Sequence, residues 1–342
     1  MQRCLQLASL GAGYVAPNPM VGAVLVYDDR IIGEGYHQQY GKAHAEVNCI
    51  NSVREEEKHL IENATLYVSL EPCAHFGKTP PCANLIIANK IPKVIIGCRD
   101  SFEEVNGKGI EKLRDAGIEV VAGVLENECK ELNKRFFTFH TKQRPYIVLK
   151  WAQSKDGTIA NADLSRAFIS NAYTNRLVHK WRSEEAAIMV GTNTALLDNP
   201  SLNVRHWTGR NPVRLLLDMG LRLQPDLNLF DKQQQTIVFN SIKHEESDNL
   251  LFYQLSKDPP IIPQMLNACY QLKLLSVLVE GGSKLLQSFL DACAWDEARI
   301  IENKTLTIDG GLKAPSLSNH QLVCQENIQT DIVTYYRNVR EM

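Results

Sequence analysis

A chain of 342 residues exceeds the ~250–300 at which one hydrophobic core usually stops growing, so two domains are expected. With 44% hydrophobic and 22% charged residues it has a globular composition, and no apolar run approaches the ~18 residues of a membrane span. The net charge of −2 is evenly spread, 16 basic and 18 acidic residues in 1–143 and 21 of each beyond, so neither half has the basic footprint of a nucleic-acid binder.

In chain order, the N-terminus lacks the long apolar core of a secretion signal and reads as a short helix, which makes a cytoplasmic protein the expectation. "VGAVLVYDD" (Val21–Asp29) and "RIIGEGY" (Arg30–Tyr36) read as two strands around a tight polar turn. "HAEVNCINSVREEE" (His44–Glu57) reads as a helix and "ATLYVSL" (Ala64–Leu70) as a strand. A proline-rich stretch follows, then a helix from Ala83 to Asn89 and a buried strand, Lys93–Cys98. A helix over Gly109–Ala116, the strand "IEVVAG" and a helix over Glu126–Phe137 complete a layered α/β domain with a largely parallel sheet. The polar stretch Phe139–Tyr146 marks a seam, and the pattern restarts with "YIVLKWAQS", which gives domains 1–143 and 144–342. In the second, Asn240–Leu250 reads as a mobile surface loop.

The nine cysteines lack the dense, regular spacing of a secreted scaffold, and cytosolic thiols stay reduced. Cys49, Cys98, Cys129, Cys269 and Cys293 lie in apolar-patterned segments and read as small buried hydrophobes. Cys73 and Cys82 differ. They bracket "CAHFGKTPPC", too polar and too rigid for a core, where a disulfide, a metal site and a loose loop all compete. Upstream stands "HAE" at 44–46; zinc deaminases pair H-x-E with P-C-x-x-C, but here the second cysteine comes later.

"HAEVNCI" followed by "VSLEPCAHFGKTPPC", together with "PNPMVGAVLV" (Pro17–Val26), resembles the deaminase domain of the bifunctional riboflavin-biosynthesis enzymes, whose cysteine loop has this longer spacing. The resemblance implies a cytidine-deaminase-like three-layer domain in which His44, Cys73 and Cys82 bind zinc and Glu46 moves protons between water and the leaving amine. It also places Asn18, the Ala45 backbone, His75 and Lys78 against the pyrimidine and the ribose phosphate. One stretch departs from the family: "DSFEEVNGKG" (Asp100–Gly109) replaces a D-P-N-P-like run and keeps the aspartate and the final G-x-G.

In the second half, "VLVEGGSKLLQSFL" (Val277–Leu290) reads as a strand ending at Glu280, two glycines that admit close approach of a ligand, and a helix whose N-terminus attracts phosphate. With "LKWAQSKDGTIA" (Leu149–Ala160) and "GTNTALLDNPSLNVR" (Gly191–Arg205) it resembles the reductase domain of the same enzymes, which has a dihydrofolate-reductase-like fold and uses NADPH. That likeness sets Gln153, Phe168, Thr194, Asp198 and the turn of Gly282, Ser283, Lys284, Leu285, Leu286, Gln287 and Ser288 against the cofactor. It sets Arg182, Leu202, Arg205 and Glu280 against the substrate and Lys150 at the reaction centre as a proton donor. After Trp295 the chain keeps the D-E start and then departs from the family with "ARIIENKTLTIDGGLKAP". The expectation is a bifunctional enzyme acting on a pyrimidine ribonucleotide, with zinc and NADPH as cofactors, assembled as a homodimer or homotetramer and binding neither nucleic acid nor membrane. The alternatives are a nucleic-acid deaminase with an appended binding domain and a deaminase whose reductase half has decayed.

Overall fold

The computed structural model describes residues 1–74, 80–101, 105–165, 167–258 and 260–339. Two compact units divide the chain, Met1–Gln143 and Arg144–Met342.

In the first unit, α1 (Gln2–Ser9) precedes a hairpin of β1 (Gly22–Tyr27) and β2 (Arg30–Tyr36). The order continues α2 (Ala45–Asn51), β3 (Thr65–Leu70), α3 (Cys82–Ala88), β4 (Lys93–Cys98), α4 (Lys108–Asp115), β5 (Glu119–Ala122), α5 (Glu126–Leu132) and α6 (Lys134–Lys142). Among the described residues the strands form one sheet in the order β2-β1-β3-β4-β5, antiparallel across β2-β1-β3 and parallel across β3-β4-β5. The hairpin turns on Asp28 and Asp29, both left-handed (φ 47° and 56°), which suits the twist of the two strands. Alternation along the strands sends Leu25, Leu66, Val68 and Ile96 to a core shared with Cys49 and Ile50, Ile86 and Leu113 from α2, α3 and α4. The opposite face clusters Val24 with Cys4 and Leu7, and Cys98 with Cys129. Helices thus cover both faces.

Two helices are shorter than the periodicity predicts. The one expected over 44–57 stops at Asn51, because the Ser52 hydroxyl donates to the Cys49 carbonyl (2.7 Å) while accepting the Glu34 N–H (2.8 Å). A 3₁₀ stretch, Glu55–Asn63, follows, with three glutamates at its positive end. The helix expected over 126–137 breaks at Asn133, whose amide exchanges two 2.8 Å hydrogen bonds with the Met20 backbone.

The second unit runs β6 (Tyr146–Ser154), β7 (Thr158–Ala160), α7 (Ala172–Glu184), β8 (Ala187–Gly191), α8 (Thr192–Asp198), β9 (Val213–Leu217), β10 (Thr236–Asn240), β11 (Glu245–Ser247) and β12 (Leu250–Gln254). Then come α9 (Ile261–Gln271), β13 (Ser276–Glu280), α10 (Ser283–Asp291), β14 (Glu297–Asn303), β15 (Leu312–Lys313), β16 (His320–Ile328) and β17 (Asp331–Asn338). Its main sheet has the order β11-β12-β10-β9-β8-β13-β6-β14-β17-β16 among the described residues, parallel from β12 to β14 and antiparallel at both ends. The central strands are continuous apolar runs because helices bury both faces: Met265 and Phe289 cluster with Leu149 and Val279, while Val178 and Trp181 cluster with Val148 and Leu278. The expected loop at 240–250 is instead β11 and β12, paired across a turn in which Asn249 is left-handed (φ 54°). The atypical stretch after Trp295 supplies β14, and β15 pairs with β7. Cys49, Cys98, Cys129 and Cys269 are buried as expected, whereas Cys293 is half-buried because it lies past the end of α10.

Candidate active sites

The first site forms where α2 starts. A Cβ at Gly35 would lie 2.2 Å from the Cys49 nitrogen, so β2 and α2 pack backbone to backbone. This holds His44, the extended residue just before α2, and Glu46 in its first turn. β3 delivers Cys73, and Cys82 opens α3. Cys82 donates its N–H to Cys73 Sγ (3.3 Å), and Ala83 donates to the Cys73 carbonyl (3.1 Å). His44 Nδ1 lies 3.4 Å from Cys82 Sγ and 3.7 Å from Cys73 Sγ, and the three ligand atoms fall within 4.8 Å of one another. No further His, Cys, Asp or Glu among the described residues joins this group. One imidazole and two sulfurs at this separation suit tetrahedral zinc with a position left open.

The two thiols are linked: the hydrogen bond between them lowers Cys73 and raises Cys82. The Cys82 hydrogen bond, and then His44, pull the Cys73 thiol down to about 4. The hydrogen bond from Cys73 outweighs burial and raises His44. Glu46 is buried, and that burial, reinforced by Cys73, pushes its carboxyl up to about 6. Asn18 enters this site through a neighbour the sequence reading missed. Its amide meets His37 Nε2 (3.2 Å), and His37 Nδ1 meets the Ala43 carbonyl (3.0 Å), next to His44. His37 is buried and packs edge-on to the His44 ring, 5.4 Å between centroids.

The second site is a cleft of about 910 Å³ above the C-terminal ends of β6, β8 and β13. Glu280 is its buried anion. Arg182 grips it with two 2.8 Å hydrogen bonds from Nε and one terminal nitrogen, and Lys150 Nζ stands 3.8 Å away. Burial pushes the Glu280 carboxyl up, but Arg182 and then Lys150 outweigh it and hold it at about 2. Gly281 and Gly282 follow with φ of 88° and 65°, and a Cβ on Gly282 would lie 2.9 Å from Thr194 Oγ1. The turn can therefore pack this closely against Thr194 only while it lacks side chains.

This chain is 37% identical to the riboflavin biosynthesis protein RibD of Aquifex aeolicus, over 98% of its own length and 97% of the relative's. The chain belongs to the RibD family. A RibD of Escherichia coli is 33% identical over 87% of this chain and 84% of its own. The crystal structure of a diaminohydroxyphosphoribosylaminopyrimidine deaminase/5-amino-6-(5-phosphoribosylamino)uracil reductase from Thermotoga maritima superposes with a TM-score of 0.90 at 38% identity, covering 99% of this chain and 97% of that one. Residues 1–98 match the cytidine and deoxycytidylate deaminase zinc-binding region, and residues 145–306 match the RibD C-terminal domain. Like other RibD proteins it is a bifunctional deaminase and reductase of riboflavin biosynthesis, with a zinc-binding deaminase domain and a dihydrofolate-reductase-like, NADPH-dependent domain. Both RibD halves are present, so neither alternative is favoured.

Of the residues expected at the RibD reductase site, Lys150, Phe168, Arg182, Thr194, Asp198, Leu202, Glu280, Gly282, Ser283, Lys284, Leu285 and Ser288 line the cleft. Four do not. Leu286 is fully buried in the core, because it faces the sheet side of α10. Gln287 bonds to Asp291 (2.7 Å) and the Ser316 N–H (3.0 Å). Gln153 is held between Trp151 Nε1 (2.9 Å) and Glu302 (3.2 Å). Arg205 is exposed and bonds to Asn203 (3.0 Å). His75 and Lys78 lie outside the described residues.

Proposed function

We propose that the deaminase half hydrolyses the exocyclic amine of 2,5-diamino-6-ribosylamino-4(3H)-pyrimidinone 5′-phosphate, that the reductase half then reduces the product's ribosyl side chain to ribityl, and that the two activities divide at residue 143. The observation that carries the reading is the His44–Cys73–Cys82 cluster with buried Glu46 beside it. His44, Cys73 and Cys82 are the zinc ligands we assign; zinc held there acidifies water toward pKa ~7. Glu46, held at about 6, takes a proton from the attacking water and returns it to the departing ammonia. Asn18, steadied by His37, faces the pyrimidine, and the Ala45 backbone at the start of α2 meets the ring.

In the reductase half, NADPH, when bound, would supply hydride to C1′ of the ribosyl group. The bond from C1′ to the ring oxygen breaks, and that oxygen must gain a proton, for which Lys150 is the donor. Glu280, kept ionised by Arg182, accepts ribose hydroxyls and stands 3.8 Å from Lys150 Nζ. Because Glu280 occupies most of the Arg182 fork, Arg182 organises the carboxylate first and attracts the 5′-phosphate second. The substrate is a free ribonucleotide, in keeping with the even charge of both halves. A homodimer or homotetramer belongs to the same reading, and the edge strand β16, with Leu322 and Val323 over half exposed, supports it. No helix among the described residues is long and apolar enough to cross a membrane. The test is ammonia release from the diaminopyrimidine phosphate before and after zinc is stripped by a chelator. Release should stop and return on adding zinc; unchanged release without metal would overturn the assignment.

A further inference from the structure

We propose that Glu71 is a positioning residue of the deaminase: its carboxylate locks the segment carrying Cys73 to the first turn of α4, and so sets the position from which Cys73 meets zinc. The inference rests on the assignment of His44, Cys73 and Cys82 as the ligands. Glu71 follows β3 directly and stands two residues before Cys73. It is buried, and its two oxygens gather four backbone N–H groups. Oε2 accepts from Asp100 (3.2 Å) and Gly107 (3.0 Å), and Oε1 accepts from Gly109 (3.0 Å) and Ile110 (3.2 Å). The last two belong to the first turn of α4, whose N–H groups have no partner within the helix and whose positive end favours an anion.

The donor side is shaped for this contact. Gly107 has φ +89°, and a Cβ there would lie 1.9 Å from the Arg99 guanidinium. A Cβ on Gly109 would lie 2.0 Å from the Pro72 carbonyl oxygen. Pro72 therefore rests directly on the start of α4, one residue from Cys73. On its other side Cys73 is held by the N–H groups of Cys82 and Ala83. Glu71 supplies the upstream anchor that these bonds need in order to fix the sulfur.

A residue that only stabilised the fold would leave metal binding alone once the protein had folded. Glu71→Gln keeps the size, but its amide turns an NH₂ group toward backbone donors. In the full-length protein we expect zinc affinity, read by competition with a chromogenic chelator, to fall about 10- to 100-fold, the range for groups that orient metal ligands. The cobalt-substituted variant should lose intensity in its visible tetrahedral bands. Glu71→Asp, which keeps the charge, should recover part of both. Leu25→Ala, a cavity elsewhere in the same core, should lower the unfolding temperature without moving either readout. Gly109→Ala attacks the same contact from the other side and should match Glu71→Gln; it decides the question if Glu71→Gln cannot be purified folded. Wild-type zinc affinity and cobalt bands in the deciding variant would overturn the proposal. Cys73→Ser runs alongside: if it too keeps zinc, the ligand assignment is what fails, and the proposal falls with it.

Discussion

Glu46 and Glu280 are both buried carboxylates, yet their surroundings drive them in opposite directions. Glu46 has burial and the Cys73 sulfur raising it to about 6, where it can take and return a proton near neutrality. Glu46→Gln should therefore cut ammonia release by ~10²–10⁴, with zinc content unchanged; a rate within a few-fold of wild type would remove Glu46 from the proton path. Glu280 is held at about 2 against an ordinary 4.5, so its ionised form stabilises the fold above pH 4.5, and that contribution is lost as pH falls toward 2. Arg182→Met leaves a buried carboxylate without its hydrogen-bonded guanidinium partner and should cost ~3–5 kcal/mol. Denaturant titrations across pH 3–7 would show the variant's deficit greatest near neutral pH and shrinking as pH falls below 4.5, where the unpaired carboxyl can take up a proton. Identical pH profiles would mean the pair does not tune Glu280. The motif residues were legible because "HAE" and "PCAHFGKTPPC" resemble the riboflavin-enzyme deaminases, whose cysteine loop has this longer spacing. His37, Asn133 and Glu71 were not: His37 works through the Asn18 side chain and the Ala43 carbonyl, and Asn133 and Glu71 act on backbone groups far away in sequence, none of which side-chain pattern alone reveals.

The turn joining β13 to α10 is the element where sequence and geometry agree most closely. Two left-handed glycines follow Glu280 and face Thr194, so the strand, the turn and the helix each contribute to one cleft. Gly282→Val adds a side chain where a Cβ alone would lie 2.9 Å from Thr194 Oγ1, and it strains a backbone at φ 65°. NADPH affinity should fall at least tenfold by fluorescence titration, while ammonia release stays at the wild-type rate; normal NADPH binding by the folded variant would move the cofactor off this turn. Elsewhere, strands with strong apolar alternation were legible and helix ends were not. Ser52 and Asn133 end their helices through hydrogen bonds to Glu34 and Met20, partners that no local window contains. The 240–250 hairpin was hidden because β11, "EES", is fully polar and exposed and carries no strand signal. Leu286 and Gln287 share a helix with Ser283 and Lys284, but the turn of α10 aims Leu286 into the core and leads Gln287 to Asp291 and Ser316.

At the scale of the whole chain, one polypeptide joins a zinc-binding deaminase domain to an NADPH-dependent reductase domain, and the product of the first reaction is the proposed substrate of the second. The order follows from that assignment, since reduction waits on deamination while deamination needs no NADPH. The most direct measurement supplies purified full-length protein with 2,5-diamino-6-ribosylamino-4(3H)-pyrimidinone 5′-phosphate and NADPH, and follows ammonia and NADPH separately in one sample. Ammonia should appear first, NADPH oxidation should follow after a lag, and the two should reach equal amounts. Withholding NADPH should leave ammonia release intact. NADPH oxidation without prior ammonia release, or ammonia release that depends on NADPH, would contradict the account.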